Sequence, residues 1–314
     1  MTFTIITATY NRRRLLEQLF KSLVAQHYDQ IEWIIIDDGG SDGTGDVIAE
    51  FQREADFSIR YVCQANGGKQ VAVNLGLGMA TGDLVAVIDD DDWFLPDVFS
   101  CIARDFTTIA NSEAVAGLSY LCLDSAGTIW GRQFPRDRMI SDHFECRINQ
   151  NVWGDKCEFT KTRVLRENNI RFPTIGAKAG IAGDTLFLMQ IANRYNTCYI
   201  NMPVLVKVYL ENGISVNWRK KALENPELTS EYYAGHLNSR VRLRIRFKYL
   251  VAYVAIESYA GNRIVGTNIR GSLNRVLFYL SYLPGRAIGA AWRRYRDGQH
   301  PLSRRWLRPS ARPN

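Results

Sequence analysis

Short apolar runs, each ended by polar or turn-forming residues, recur through the first hundred residues of the chain. Four of these runs are rich in β-branched residues: 3–8, 32–36, 59–62 and 84–88. Such runs are typical of strands buried on both faces of a sheet. Between them, apolar positions recur at helical spacing, beginning with residues 15–24. The alternation predicts an α/β fold with a parallel, right-handed, doubly wound sheet and helices on both faces.

Polar side chains follow three of these predicted strands. They are Thr9, Tyr10 and Asn11 after the first strand, Asp37 and Asp38 after the second, and Asp89, Asp90, Asp91 and Asp92 after the fourth. The carboxyl ends of parallel strands share one edge of the sheet, where open α/β sheets bind ligands. Four adjacent carboxylates repel one another, and a bound Mg²⁺ or Mn²⁺ would relieve that repulsion. The alternative is a solvated acidic turn at the start of a helix.

Glycine motifs that cradle phosphates are missing after the first strand. Neither G-x-G-x-x-G nor G-x-x-x-x-G-K-[ST] follows residues 3–8, which argues against a nicotinamide dehydrogenase and against a P-loop enzyme. The arrangement that remains is a nucleotide held by side-chain carboxylates and a bridging metal ion.

Four strings give this arrangement a family resemblance. TATYN at 7–11, IIIDDGGSDGT at 34–44, NGGKQVAVNLGLGMATGD at 66–83 and VIDDDDWFLPD at 87–97 resemble the nucleotide-sugar-binding half of the inverting family 2 glycosyltransferases, which adopt the GT-A fold. The resemblance implies a nucleotide-diphosphate sugar donor, with a UDP-sugar favoured, and Mn²⁺ or Mg²⁺ as cofactor.

The resemblance also assigns roles to single residues. Asp38, supported by Asp37, is expected to hold the nucleobase in a pocket lined by Thr9, Tyr10 and Asn11. The metal is expected on Asp91 together with Asp89, with Asp89 or Asp90 near the ribose. Asp92 is expected to cap the turn before Pro96, and metal ligation is its alternative role. Lys69 is expected either to neutralise diphosphate charge or to be a solvated loop lysine.

The acceptor side follows in residues 111–217. The polar segment 132–151 is predicted to be an irregular, mobile loop, and Trp153, Lys156 and Glu158 resemble a family element beside the acceptor pocket. A Lys156–Glu158 surface pair is the alternative for two of them. Asp184 opens an amphipathic helix where related transferases hold the general base, and a helix-capping Asp is the simpler alternative.

The string YLENGIS at 209–215 resembles the element that closes the catalytic domain of bacterial surface-polysaccharide transferases. The Q-x-x-R-W signature of processive synthases is absent, so transfer of one sugar per encounter is expected rather than polymerisation.

Charge divides the chain into two parts. Residues 1–217 hold 20 Lys and Arg against 27 Asp and Glu, and residues 218–314 hold 19 against 5. We therefore predict a catalytic domain over 1–217, with a nucleotide-sugar-binding half at 1–110 and an acceptor half at 111–217, followed by a basic, mainly helical region at 218–314. Clustered cations beside apolar helices favour an anionic membrane surface. A solvated helical appendage is the alternative, and nucleic acid is not expected as a partner.

The six cysteines stand singly along the chain, without metal-ligand spacing, and the amino terminus has no signal-peptide pattern. These features predict a cytoplasmic protein, with peripheral attachment to the inner face of the membrane left open. The combined interpretation is a metal-dependent inverting glycosyltransferase that acts on a hydroxyl of a surface glycan or lipid-linked acceptor. Two alternatives stay open on the residues alone: a non-catalytic subunit that binds nucleotide-sugar, and a sugar nucleotidyltransferase.

Overall fold

A computed structural model of the chain describes residues 1–175, 183–208, 218–262 and 271–296. Its strands are β1 Phe3–Thr9, β2 Ile31–Asp37, β3 Ser58–Cys63, β4 Leu84–Val87, β5 Trp93–Phe94, β6 Val115–Asp124, β7 Met139–Ser141, β8 Lys156–Lys161 and β9 Asn196–Lys207. Its α-helices are α1 Arg13–Val24, α2 Thr44–Glu54, α3 Lys69–Met79, α4 Val98–Thr107, α5 Thr162–Glu167, α6 Gly183–Ala192, α7 Trp218–Glu224, α8 Pro226–Gly235, α9 Leu243–Ala260 and α10 Ser272–Arg296. A π-helical turn spans Phe144–Asn149.

The strands of the described residues form one sheet in the order β3-β2-β1-β4-β8-β6-β9-β5, with β7 paired to β9. The first four strands are parallel, as the alternation of runs predicts. β8 runs antiparallel to both β4 and β6. The first residues of β8 therefore lie at the sheet edge where β4 ends, which brings the acceptor segment to the edge of the acidic residues.

Apolar residues cover both faces of this sheet. Along β2, Trp33 and Ile35 pack with helices α1, α2 and α4, whereas Ile34 and Ile36 pack with α3, α5 and α6. Successive side chains of a strand point to opposite faces, so an uninterrupted apolar strand requires helices on both sides. The predicted α/β class with helices on both faces is confirmed.

The segment 132–151 is more ordered than its polar composition indicates, and the prediction of an irregular loop is wrong for its second half. β7 pairs with β9 in antiparallel register, and the π-helical turn follows it directly. Phe134, Met139, Phe144 and Cys146 are buried. These buried side chains and the β7–β9 hydrogen bonds hold the segment in a regular structure. Its many polar residues gave no indication of this in the sequence.

The chain divides into two compact units, Met1–Lys178 with Phe187–Val208, and Ala179–Leu186 with Tyr209–Asn314. The second unit is helical in its described residues, as predicted. Within it α9 and α10 run in the same direction, because Arg246 contacts Asn274 and Ser258 contacts Arg293. None of the described helices combines the length and the apolar character needed to span a bilayer.

Candidate active site

The carboxyl ends of β1, β2 and β4 bring the predicted polar residues together. Thr9 is opposite Asp37 in the β1–β2 register, and Thr9 Oγ1 donates a hydrogen bond of 2.8 Å to Asp90 Oδ2. The residues after the first and fourth strands are thus in direct contact, which follows from β1 lying between β2 and β4 in the sheet. A single polar edge results.

The four consecutive carboxylates after β4 do not all point the same way. Asp89, Asp91 and Asp92 each offer one oxygen, and these three oxygens lie within 4.8 Å of one another. Asp90 is buried and is held by Thr9 and by Arg12, whose Nη1 is 2.7 Å from Asp90 Oδ1. The group that could hold a cation therefore includes Asp92 beside the predicted Asp89 and Asp91.

Asp92 does not act as the predicted cap of the turn before Pro96. Its Oδ1 accepts a 3.1 Å hydrogen bond from the backbone N–H of Val208, and its Oδ2 lies 2.7 Å from Lys207 Nζ. The side chain is directed at the end of β9, because β5, which follows Asp92, pairs with that strand.

Three cationic side chains surround the acidic group. Arg12 bridges Asp90 and Asp91, with Nη2 2.6 Å from Asp91 Oδ2. Lys69 Nζ lies 2.5 Å from Asp89 Oδ1, and Lys207 Nζ contacts both Asp89, at 3.4 Å, and Asp92. Repulsion among the acids is thus relieved in part by cationic side chains of the protein itself.

Burial and these cations set the protonation of the acids. Burial raises the pKa of Asp90 to about 6 and of Asp92 to about 7, although Arg12 and Lys207 oppose the effect. For Asp89 burial acts in the same direction, but Lys69 and Lys207 outweigh it and lower the pKa of this carboxyl. Burial lowers the pKa of Lys207, whereas Asp89 and Asp92 raise it by more, so the amine stays charged.

The acidic group fits a hard divalent cation. Asp92 Oδ2 is buried and accepts no hydrogen bond; its 2.7 Å contact with Lys207 is an ion pair without hydrogen-bond geometry. One carboxylate oxygen of Asp92 also lies within 4.8 Å of an oxygen of Asp89 and an oxygen of Asp91. Carboxylate oxygens are the ligands that Mg²⁺ and Mn²⁺ prefer.

The predicted base pocket is organised around Asp38. This buried carboxylate accepts hydrogen bonds from Gln64 Nε2 at 2.7 Å, and from the backbone N–H groups of Gly67 and Gly68 at 2.8 Å each. Asp37 beside it accepts from Gly40 N and from the hydroxyl of Tyr61. Both acids thus fix the loops that follow β2 and β3.

The residues after β1 form the other wall of this pocket. Asn11 has a positive φ of 53°, and its Oδ1 accepts a 2.7 Å hydrogen bond from Ser41 N. Tyr10 is 49% exposed. The ring of Tyr10 is therefore available to a ligand, whereas Asn11 joins the two loops.

The residues predicted for the acceptor side lie where β8 begins. Lys156 Nζ contacts the backbone carbonyls of Trp153, Gly154 and Asp155 at 3.2–3.5 Å, and burial, reinforced by Arg147, lowers its pKa to about 8. Glu158 accepts a hydrogen bond from Ser119, and burial raises its pKa. These partners replace the alternative surface pair between Lys156 and Glu158.

Two tryptophans frame that position. The rings of Trp130 and Trp153 meet edge to face with centroids 6.3 Å apart. Their backbones touch at Gly131 and Gly154, where a Cβ on Gly131 would lie 2.3 Å from the Trp153 carbonyl oxygen. Two glycines with positive φ thus allow the close approach that fixes this aromatic pair at the end of the sheet.

Asp184 is an exposed residue in the first turn of α6. The YLENGIS string at 209–215 lies outside the described residues.

Residues 4–174, just over half of the chain, match the family model described as glycosyl transferase family 2. The chain belongs to this family. An uncharacterized glycosyltransferase of a Nostoc species is 38% identical over 121 residues, which are 38% of this chain and 37% of the relative. The matched stretch thus spans little more than a third of that relative.

Solved structures support the same fold. TarS 1–349 of S. aureus in complex with UDP-GlcNAc superposes with a TM-score of 0.56 at 18% identity, covering 96% of this chain and 93% of that one. The mannosyltransferase PcManGT of Pyrobaculum calidifontis, in complex with GDP-Man and Mn²⁺, gives 0.55 at 19%, covering 92% and 87%. The predicted GT-A fold is confirmed.

Sequence reasoning about this family 2 chain missed two residues that contact the acidic group. Arg12 directly follows Thr9, Tyr10 and Asn11. This position beside the polar edge was the one sequence feature that could have indicated its contact with the acids. Lys207 is the only cation in the apolar end of β9, residues 203–207. A lone charge in a buried run usually has a charged partner, but no local pattern says which acids these are.

Proposed function

We propose that this family 2 chain is a metal-dependent, inverting glycosyltransferase. The hydroxyl oxygen of an acceptor attacks the anomeric carbon of the donor sugar, and the bond from that carbon to the nucleotide diphosphate breaks in the same step. The hydroxyl proton passes to a carboxylate of the enzyme. One in-line displacement inverts the anomeric configuration and needs no covalent sugar–enzyme intermediate.

The observation that carries this proposal is the convergence of Asp89, Asp91 and Asp92 at the carboxyl end of β4, within 4.8 Å of one another. We propose that Asp91, with Asp89, holds Mn²⁺ or Mg²⁺, and Asp92 is close enough to share that role. When bound, the ion would stabilise the negative charge that develops on the departing diphosphate. The Mn²⁺ of the PcManGT complex supports this assignment for a chain of the same fold.

The nucleotide is proposed to lie between the loops after β1 and β2. Tyr10 is exposed there, and Thr9, Asn11, Asp37 and Asp38 line or fix the surrounding loops. We propose a UDP-sugar as donor, supported by the UDP-GlcNAc in the TarS complex. Lys69 is proposed to face the diphosphate, since its Nζ contacts Asp89, and Asp90 is proposed to lie near the ribose, since it is held by Thr9 at the end of β1.

Asp184 is proposed as the carboxylate that takes the acceptor proton, because it is exposed at the start of α6. Trp153 with its partner Trp130 offers an apolar surface on which a sugar ring can stack, and Lys156 contacts the Trp153 backbone. Glu158, two residues further along β8, is proposed for the same side. We propose that the acceptor is a hydroxyl of a surface glycan or of a lipid-linked sugar.

The test measures donor binding and transfer separately. Asp91→Ala is expected to lose transfer and the metal-dependent part of UDP binding. Asp184→Asn is expected to lower transfer roughly 10²–10⁴-fold with UDP affinity unchanged, whereas the exposed acid variant Asp56→Asn leaves both unchanged. Full transfer by folded Asp184→Asn would overturn the base assignment. If the native chain and the Asp184 variant both bind UDP and neither transfers a sugar, the alternative function, a non-catalytic subunit that binds nucleotide-sugar, would be favoured.

A further inference from the structure

Helix α10, in the second unit, carries a stripe of exposed apolar side chains that the transfer reaction does not explain. Leu273, Val276, Leu280 and Leu283 are between 48% and 77% exposed. They are spaced by three, four and three residues, so that at 100° per residue they share an arc of about 80° on the helix surface. Such a stripe on a helix of a folded protein marks a surface that another apolar phase covers.

A different side of α10 packs against α9. Leu277 and Phe278 are buried against Leu250 and Val254 of α9, and a Cβ on Gly285 would lie 2.6 Å from Val254. The packing of the helix against its neighbour is thus satisfied without the stripe. The stripe is a second apolar face of the same helix.

Cations run along one border of this stripe. Arg275 and Arg286 are both exposed and lie about 60–80° from its nearest edge on the helical projection. Between them and the stripe is Tyr279, which is 74% exposed. The helix holds five arginines and no acidic residue. Around the helix, the apolar stripe is followed by the aromatic side chain and then by the basic row. This order is typical of helices that lie in the interface of a membrane.

We propose that this face of α10 lies on an anionic phospholipid bilayer, with the apolar stripe at the acyl boundary and the arginines at the headgroups. The alternative occupant, a second copy of the chain, is disfavoured by charge. Two copies of α10 that met along the stripe would bring basic rows together without an acidic residue from either helix to pair with them. A bilayer carrying phosphatidylglycerol offers negative charge to every arginine of the row.

The binding mode is interfacial rather than spanning. Pro284 and Arg286 interrupt the apolar character of α10, and the described helices include no segment able to cross a bilayer. The inference concerns attachment only. Membrane attachment can be tested independently of the proposed transfer reaction, because no residue of the α10 stripe or of its basic row belongs to the acidic group or to the base pocket.

The experiment sediments the full-length chain with phosphatidylcholine vesicles that contain or lack phosphatidylglycerol. We expect binding to the anionic vesicles at low salt, and less binding at high salt. Arg275→Gln with Arg286→Gln should weaken it roughly 20- to 30-fold, since each cation near an anionic surface contributes about fivefold. Leu280→Ser with Leu283→Ser should weaken it by about tenfold or more, because each leucine loses its burial.

Matched controls come from exposed residues of the first unit. Arg53→Gln with Arg104→Gln removes two helical arginines, and Ile140→Ser removes a side chain that is 56% exposed; both should bind vesicles like the native chain. Circular dichroism and transfer to a soluble acceptor show that each variant is folded. Equal binding by the α10 variants and the controls would overturn the proposal. The proposal would also be overturned if the native chain is a dimer, and if Leu280→Ser with Leu283→Ser dissociates this dimer without changing vesicle binding.

Discussion

Lys207 Nζ lies 2.7 Å from Asp92 Oδ2 and 3.4 Å from Asp89 Oδ2, so one amine joins the end of β9 to two carboxylates beyond β4. The contact spans more than a hundred residues of sequence. It fixes the acidic group against the half of the sheet that carries the acceptor-side residues. The lysine is thus part of the framework of the candidate site rather than a solvated charge.

Replacement of Lys207 by Met should destabilise the fold. The substitution keeps the length of the side chain but leaves buried Asp92 beside Asp89 without its cation, and breaking a buried pair costs about 3 kcal/mol. Urea unfolding at neutral pH measures the change. Lys21→Met is the control, because its pair with Glu17 is exposed and contributes less than about 0.5 kcal/mol. Equal losses in the two variants would contradict a buried ion pair.

Arg12 and a metal ion compete for Asp91. The guanidinium lies 2.6 Å from Asp91 Oδ2, and this oxygen cannot bind both partners fully. We therefore expect Arg12→Gln to bind Mn²⁺ at least about fivefold more tightly, a gain of roughly 1 kcal/mol, as measured by calorimetry on the nucleotide-free protein. Arg14→Gln, an exposed change in the first turn of α1, should leave the affinity unaltered. Weaker Mn²⁺ binding in Arg12→Gln would mean that Arg12 orients Asp91 for the ion.

The parallel half of the sheet was predictable because its strands are buried on both faces. A run such as Ile34, Ile35 and Ile36 is stable only when both faces of its strand are buried. The residues that follow such a run then lie at the edge of the sheet where the parallel strands end. The antiparallel strand β8 was not, because four of its six residues are polar. Lys161 of this strand is fully buried, and its Nζ donates to the carbonyls of Ile109 and Ser112, which no local pattern indicates.

The acids of the site were predictable and their partners were not. Asp89 and Asp91 belong to a run of four consecutive aspartates, so their type and spacing point to cation binding, whereas the run alone does not show that Asp92 faces the same group. Arg12 and Lys207 reach them only after the strands have paired, because both are distant in the sequence. Local sequence patterns report chemistry within a loop, whereas ion pairs between loops depend on the strand order.

The contact between the Trp130 and Trp153 segments should depend on Gly131. A Cβ there would lie 2.3 Å from the Trp153 carbonyl oxygen, at a φ of +89°. Gly131→Ala should therefore cost about 3–4 kcal/mol of unfolding free energy, from backbone strain and overpacking together. Gly127→Ala is the matched control, because its φ is +77° with nothing within 4 Å, and it should cost only about 1–2 kcal/mol. Similar losses in a thermal or urea denaturation would argue against tight packing at Gly131.

The second unit should lose stability in mild acid through His236. The imidazole is buried, its Nδ1 donates to the Tyr232 carbonyl at 2.7 Å, and its ring stacks on Tyr249. Burial lowers its pKa to about 4, so between about pH 4 and 6.5 the unfolded chain binds more protons than the native one. Stability therefore falls as the pH drops through this window, by roughly 3 kcal/mol in all. His236→Gln should remove that part of the pH dependence in urea unfolding followed from pH 7 to pH 4, whereas His27→Asn, at an exposed position with positive φ, should retain it. An unchanged slope in His236→Gln would place the acid sensitivity on other groups.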